Sequence, residues 1–244
     1  MQSFPQLLHA IWGDSIGDQA DATSKLRILL SLERDPPIQL VVQSPGLVQR
    51  LVQFLGCVSN PQLQLEAAWC LTNIASGSSE ETAAIVKEGA ISNFIALLDT
   101  TTFDEIKEQV IWGLGNIAGN NVEFRDLVLH AGALGPLCRQ INDSSKLTTL
   151  RNAAWALSNL CRGKPIPPLP VTRDILTWLC KLVYHDQDEE IMTESMWAFS
   201  YLTDAGEEIV DEVLRCGVAR RIADSLMLPS VVRAHTLLCQ YLEY

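Results

Sequence analysis

Residues 65–77 read LEAAWCLTNIASG, from Leu65 to Gly77, and the pattern returns three times: EQVIWGLGNIAGN at 108–120, RNAAWALSNLCRG at 151–163 and TESMWAFSYLTDA at 193–205. Their tryptophans, Trp69, Trp112, Trp155 and Trp197, are spaced 43, 43 and 42 residues apart. A period of about 40 to 47 residues that reads as helical belongs to stacked-helix solenoids, in which each repeat buries its apolar face against the next.

Stepping about 100° per residue from each tryptophan separates two stripes. The positions at −1, +2, +5 and +6 are Ala68, Leu71, Ile74 and Ala75, then Ile111, Leu114, Ile117 and Ala118, then Ala154, Leu157, Leu160 and Cys161, and finally Met196, Phe199, Leu202 and Thr203. These form the predicted core. The positions at −3, 0, +4 and +7 fall on roughly the opposite side: Glu66, Trp69, Asn73 and Ser76; Gln109, Trp112, Asn116 and Gly119; Asn152, Trp155, Asn159 and Arg162; Glu194, Trp197, Tyr201 and Asp204. A stripe that pairs one aromatic with polar groups is expected to face solvent. A single tryptophan is usually core, but four placed opposite the apolar stripe read as a binding ladder, continuous once the repeats stack.

The connecting segments agree. Gly89 and Gly132 punctuate turns that open amphipathic helices, and the stretch from Lys164 to Pro170 is proline-rich and reads as an extended loop. Repeats are expected at 20–56, 60–98 and 103–141, a fourth carries the proline loop, and a fifth spans 171–228. Residues 4–12 form an amphipathic stretch expected to cap the first repeat with Leu7, Leu8 and Ile11. In that first repeat Arg27 and Ser31 stand where the later copies have tryptophan and asparagine.

Several function classes lack support. The net charge is −11, the wrong sign for a nucleic-acid partner and a suitable one for basic ligands. Gly113, Gly115 and Gly119 fall inside a repeat helix with no strand before them, so they do not make a dinucleotide loop. His9, His130, His185 and His235 share no metal-ligand spacing, and no cofactor, metal or catalytic residue is called for. The seven cysteines are scattered and odd in number, which suits reduced core residues in the cytoplasm or nucleus. No membrane segment is expected. The acidic run from Asp186 to Glu190 reads as a solvated helix entry.

At the repeat motifs the sequence resembles importin-α, an armadillo-repeat adaptor that carries nuclear localisation signals; the likeness extends to SLERDPPI at 31–38, EGAI at 88–91 and FRDLV at 124–128. The resemblance implies an all-α, right-handed armadillo solenoid forming a single domain over 1–244. It further implies a concave groove in which the tryptophan and asparagine rows hold an extended basic peptide. Asparagine amides would clamp the peptide backbone, and indoles would sandwich lysine stems. Glu194 and Asp204 would meet ligand lysines.

One departure stands out. Importin-α carries an aspartate directly after its third-repeat NIAG, where it receives the most deeply held lysine together with a glycine carbonyl and a threonine that correspond to Gly77 and Thr82; here that place holds Asn120. An amide accepting from the ammonium without countercharge is expected to weaken lysine binding by about 1 to 2 kcal/mol. The chain also begins where the family's importin-β-binding arm would end, so importin-β recruitment by this chain alone is not expected. The alternative to a transport adaptor is a dedicated binder or chaperone of one basic protein. At the far end, Leu226, Leu228, Leu237, Leu238 and Leu242 belong to half a repeat, for which self-association or a fold-back of the last helix is expected.

Overall fold

A computed structural model of the chain describes residues 3–185 and 188–225; the regular structure among them is entirely helical. The chain divides into two compact units, Met1–Pro136 and Leu137–Tyr244. The first unit holds α1 (Phe4–Ile11), α2 (Ile16–Leu30), α3 (Ile38–Gln43), α4 (Leu47–Phe54), α5 (Pro61–Ala75), α6 (Ser79–Lys87), α7 (Ala90–Thr100), α8 (Asp104–Asn120) and α9 (Val122–His130). The division falls within α10 (Leu134–Arg139). The second holds α11 (Leu147–Cys161), α12 (Leu169–His185), α13 (Glu189–Thr203), α14 (Glu207–Arg215) and α15 (Ala219–Ser225). The self-association and fold-back expected of residues 226–244 lie outside the described residues.

In the first unit the tryptophan helices stack: α5 packs on α2 on one flank and on α8 on the other, with α4 against α5 and α7 against α8. Local signals start these helices. Asn60 caps α5 by accepting from the Leu63 amide at 3.0 Å, with Pro61 as first helical residue, where its missing N–H costs nothing. Ser78 and Glu81 form a reciprocal capping box on α6. Gly89 opens α7 with φ 83°, a left-handed conformation that glycine adopts without Cβ strain.

The core stripe is buried as read: Ala68, Leu71, Ile74 and Ala75 on α5, and Ile111, Leu114, Ile117 and Ala118 on α8. Each such leucine or isoleucine contributes about 1.5 to 3 kcal/mol. Gly113 lets α8 approach closely, since a Cβ there would stand 2.8 Å from Thr72 Oγ1 and 2.9 Å from the Phe94 ring. The three glycines of WGLGNIAG all lie inside α8. α1 lies on α2 and buries Leu7 and Ile11, while Leu8 is half-buried.

In the second unit α11 packs on α13, with α12 and α14 also against α13. Ala154, Leu157, Leu160 and Cys161 are buried, as are Phe199 and Leu202, but Met196 and Thr203 remain half-buried. Two expectations are corrected. The proline loop ends at Pro168, and Pro170 lies in the first turn of α12, where no amide donor is needed. Cys216 is exposed, unlike the buried Cys70, Cys138 and Cys161, because it caps the C-terminus of α14.

Candidate functional site

The tryptophan stripe of α5 starts at a buried charge. Glu66, 4% exposed, accepts from Arg27 Nε at 2.6 Å and from Gln62 Nε2 at 2.7 Å. The Arg27 guanidinium lies 4.5 Å from the centre of the Trp69 ring, so one cation serves both the carboxylate and the indole. One turn on, Asn73 Nδ2 donates to Ser31 Oγ at 2.9 Å. The first-repeat residues at the tryptophan and asparagine places thus bind the tryptophan and asparagine of the next row. Ser76 is exposed and donates to the Asn73 carbonyl at 2.7 Å.

On α8, Trp112 is 44% exposed. Asn116 Nδ2 donates to the Thr72 carbonyl on α5 at 3.0 Å, which holds the amide in place. Gln109 is only 6% exposed, and its Nε2 has no hydrogen-bond partner among the described residues. At the end of the helix Asn120 Nδ2 donates to the Gly77 carbonyl at 3.3 Å and to Thr82 Oγ1 at 3.1 Å, while its Oδ1 accepts from Ser79 Oγ at 2.7 Å.

In the second unit Asn152 and Trp155 are half-buried and Arg162 is exposed. Ser158 on α11 donates to Glu194 on α13 at 2.8 Å. Burial raises the Glu194 pKa, the Ser158 hydrogen bond opposes that shift, and Glu190 adds to it. Trp197 stacks on Tyr201 with ring centres 5.8 Å apart, so here an aromatic pair stands where the other rows have indole and amide. Burial also raises the Tyr201 hydroxyl pKa. Asp204 is exposed and pairs with Lys164 at 2.7 Å.

Contrary to the expectation that the stripe faces solvent, it is open along only part of its length: Glu66 and Gln109 are buried, and Asn159 is 7% exposed. A helix in a stack has neighbours on its flanks as well as a core behind it, so a narrower strip stays open than one helix's periodicity suggests. Asn120, expected to accept from an ammonium beside Gly77 and Thr82, here directs its amide donor to both of those groups. Sequence reading missed Lys164, Ser158 and Ser79 as partners of the stripe. It noticed Arg27 and Ser31 only as missing ligand contacts. The signal available was register, since Ser31 and Asn73 lie 42 residues apart, one period.

What the rows offer is consistent: indole faces, amides held by internal hydrogen bonds, and carboxylates. Among the described residues, no cluster of side chains is suited to a metal, and no helix is long and apolar enough to cross a membrane.

The Armadillo/beta-catenin-like repeat model matches residues 34–76, 78–119 and 121–162. Each match ends with its tryptophan helix, so the expected frame of 20–56, 60–98 and 103–141 is shifted by about one helix. The chain is 47% identical over 94% of its length to importin subunit alpha-1a of Oryza sativa subsp. japonica. It is 46% identical over 93% to importin subunit alpha-2 of Arabidopsis thaliana, and 46% over 95% to importin subunit alpha-B of Dictyostelium discoideum. It spans less than half the length of these relatives, 43%, 42% and 45%. Among solved structures, a designed armadillo repeat protein in complex with the peptide (KR)4 matches with a TM-score of 0.83 and 25% identity, over 96% of each chain. Three repeat matches cover just over half of the chain, which therefore belongs to the Armadillo/beta-catenin-like repeat family and is similar, over nearly its full length, to importin α subunits.

Proposed function

We propose that the chain binds extended basic peptides of the nuclear-localisation-signal class along its tryptophan rows, as the cargo-holding part of an importin-α-type adaptor working between cytoplasm and nucleus. The observation that carries this reading is Trp112: a large aromatic left 44% exposed on a helix whose opposite face is fully buried. Leaving an indole in water forgoes the burial that tryptophan otherwise contributes, and a cationic ligand stem is the partner that fits its face. Lysine and arginine stems pack on the ring while the charged head is attracted by it, about 0.5 to 2 kcal/mol per contact.

The other groups of the rows suit the same ligand. Asn73 and Asn116 each spend an amide proton on the protein, at Ser31 and at the Thr72 carbonyl, which fixes their orientation toward a peptide backbone. The net charge of −11 favours approach of a basic chain. The designed relative solved with (KR)4 has the same fold and a ligand of this chemistry. The chain acts as a binding module; no catalytic role is assigned to any residue.

A second reading, a dedicated partner of one basic protein, is favoured by one observation. Both groups expected to receive ligand cations already have partners within the chain: Asp204 pairs with Lys164, and Glu194 accepts from Ser158. Calorimetry with a panel of lysine-rich and arginine-rich peptides separates the two. Comparable affinities across the panel support a general adaptor, binding of a single partner sequence supports the dedicated binder, and no binding of any basic peptide contradicts both.

A further inference from the structure

Asn120, the last residue of α8, has its side chain fully committed. Its Nδ2 donates to the Gly77 carbonyl at 3.3 Å and to Thr82 Oγ1 at 3.1 Å, which uses both amide protons. Its Oδ1 accepts from Ser79 Oγ at 2.7 Å and from Asn121 Nδ2 at 3.2 Å. Thr82 is fully buried and gives its own proton to the Ala75 carbonyl at 3.3 Å, so toward Asn120 it acts only as an acceptor. The amide orientation follows from these partners. Turned over, its carbonyl would face another carbonyl and a hydroxyl with no proton left to give.

Gly77 O and Thr82 Oγ1 therefore form a pair of acceptors that calls for a donor, and the chain supplies that donor itself. We propose that Asn120 is an internal plug: its amide nitrogen fills the acceptor pair at the junction of α5 and α6, so the ligand residue passing there is uncharged, not lysine. The proposal rests on the peptide-binding reading and concerns which residues that peptide carries. Lysines and arginines are held at the indole faces. At the plug an entering ammonium must break both Nδ2 bonds, and it meets no carboxylate in return.

The isosteric acid inverts this logic. In Asn120→Asp the same position carries no proton, so a carboxylate, a carbonyl and a hydroxyl face one another as acceptors. A lysine ammonium satisfies that arrangement, and charge-assisted hydrogen bonds are about twice as strong as neutral ones. Asn120→Ala removes the plug without adding charge and keeps the comparison readable if the acid folds poorly.

The probe is a synthetic peptide of four consecutive lysines between neutral flanks, together with its four single lysine-to-alanine versions. It is titrated by calorimetry into the full chain and both variants, and each protein is also melted without peptide. For the wild-type chain, we expect no single lysine to matter by more than about threefold. For Asn120→Asp, affinity rises about tenfold and depends on one particular lysine, while the ligand-free melting temperature falls and peptide restores it. Asn120→Ala acquires a weaker preference for that same lysine. The plug is overturned if one lysine is already worth tenfold in the wild-type chain, or if Asn120→Asp changes neither affinity nor melting temperature. If no protein binds the peptide while Asn120→Asp still melts lower, it is the peptide-binding reading that fails, and the specificity claim falls with it.

Discussion

Arg27 lies over the Trp69 ring at 4.5 Å while its Nε holds Glu66 at 2.6 Å, so a cation of the chain itself occupies one face of the first tryptophan in the ladder. The ladder therefore begins with an internal model of the contact proposed for its ligand. Arginine suits this place because its planar guanidinium can stack on a ring and hydrogen-bond in its own plane at the same time.

The Arg27–Glu66 pair yields the first prediction. Arg27→Ala leaves a carboxylate that is 5% exposed in its side chain with Gln62 as its one remaining donor among the described residues. Stability should fall by about 2 kcal/mol in chemical unfolding, and Arg27→Ala combined with Glu66→Gln should recover at least half of that loss. A loss in the single variant below about 0.5 kcal/mol would show that solvent replaces Arg27 at no cost.

Gly113→Ala sets two effects against each other. Alanine gains about 1 kcal/mol of helix propensity over glycine. The added Cβ, however, meets Thr72 Oγ1 at 2.8 Å and the Phe94 ring at 2.9 Å. Thr72 is β-branched and already tied to the Ala68 and Gln109 carbonyls, so it cannot swing away. Overpacking of about 1 to 3 kcal/mol should win, and the variant should unfold at lower denaturant than wild type. An unchanged or higher midpoint would mean that α5 and α8 can separate without cost.

Asp188 gives a pH dependence. The Arg151 hydrogen bond holds its carboxyl below the ordinary aspartate range, with help from the Ile191 and Glu190 amides at the start of α13 and against the effect of burial. A lowered folded-state pKa contributes stability that is fully present above the unfolded value of about 4 and is lost as pH falls through the folded value. Asp188→Asn should therefore be less stable than wild type near neutrality by about 1 kcal/mol, with the gap closing below about pH 4. Melting temperatures measured between neutral and acidic pH that run parallel for the two proteins would contradict the assignment.

These predictions also mark what was legible in the sequence. The core stripe was, because a 3.6-residue period within one helix is a local signal and Ala68, Leu71 and Ile74 obey it. The exposure of Trp112 followed from the same geometry. What escaped were contacts made one period away: Arg27 on Trp69, Ser31 on Asn73, and Asn120 on Thr82. A helical wheel shows which way a side chain leaves its own helix and says nothing about what the neighbouring helix brings to meet it. For the same reason Glu66 and Gln109 read as surface and are buried. The repeat frame escaped because a periodic pattern fixes the spacing of its copies without saying which helix comes first.

On the proposed function the exposed indole of Trp112 binds a basic peptide and does not hold the fold. This is tested most directly by Trp112→Ala, measured for lysine-rich peptide affinity by calorimetry and for stability by thermal unfolding. Affinity should fall at least about tenfold while the melting temperature stays close to that of wild type. Unchanged affinity, or a stability loss of about 3 to 5 kcal/mol like that of a buried tryptophan, would contradict it.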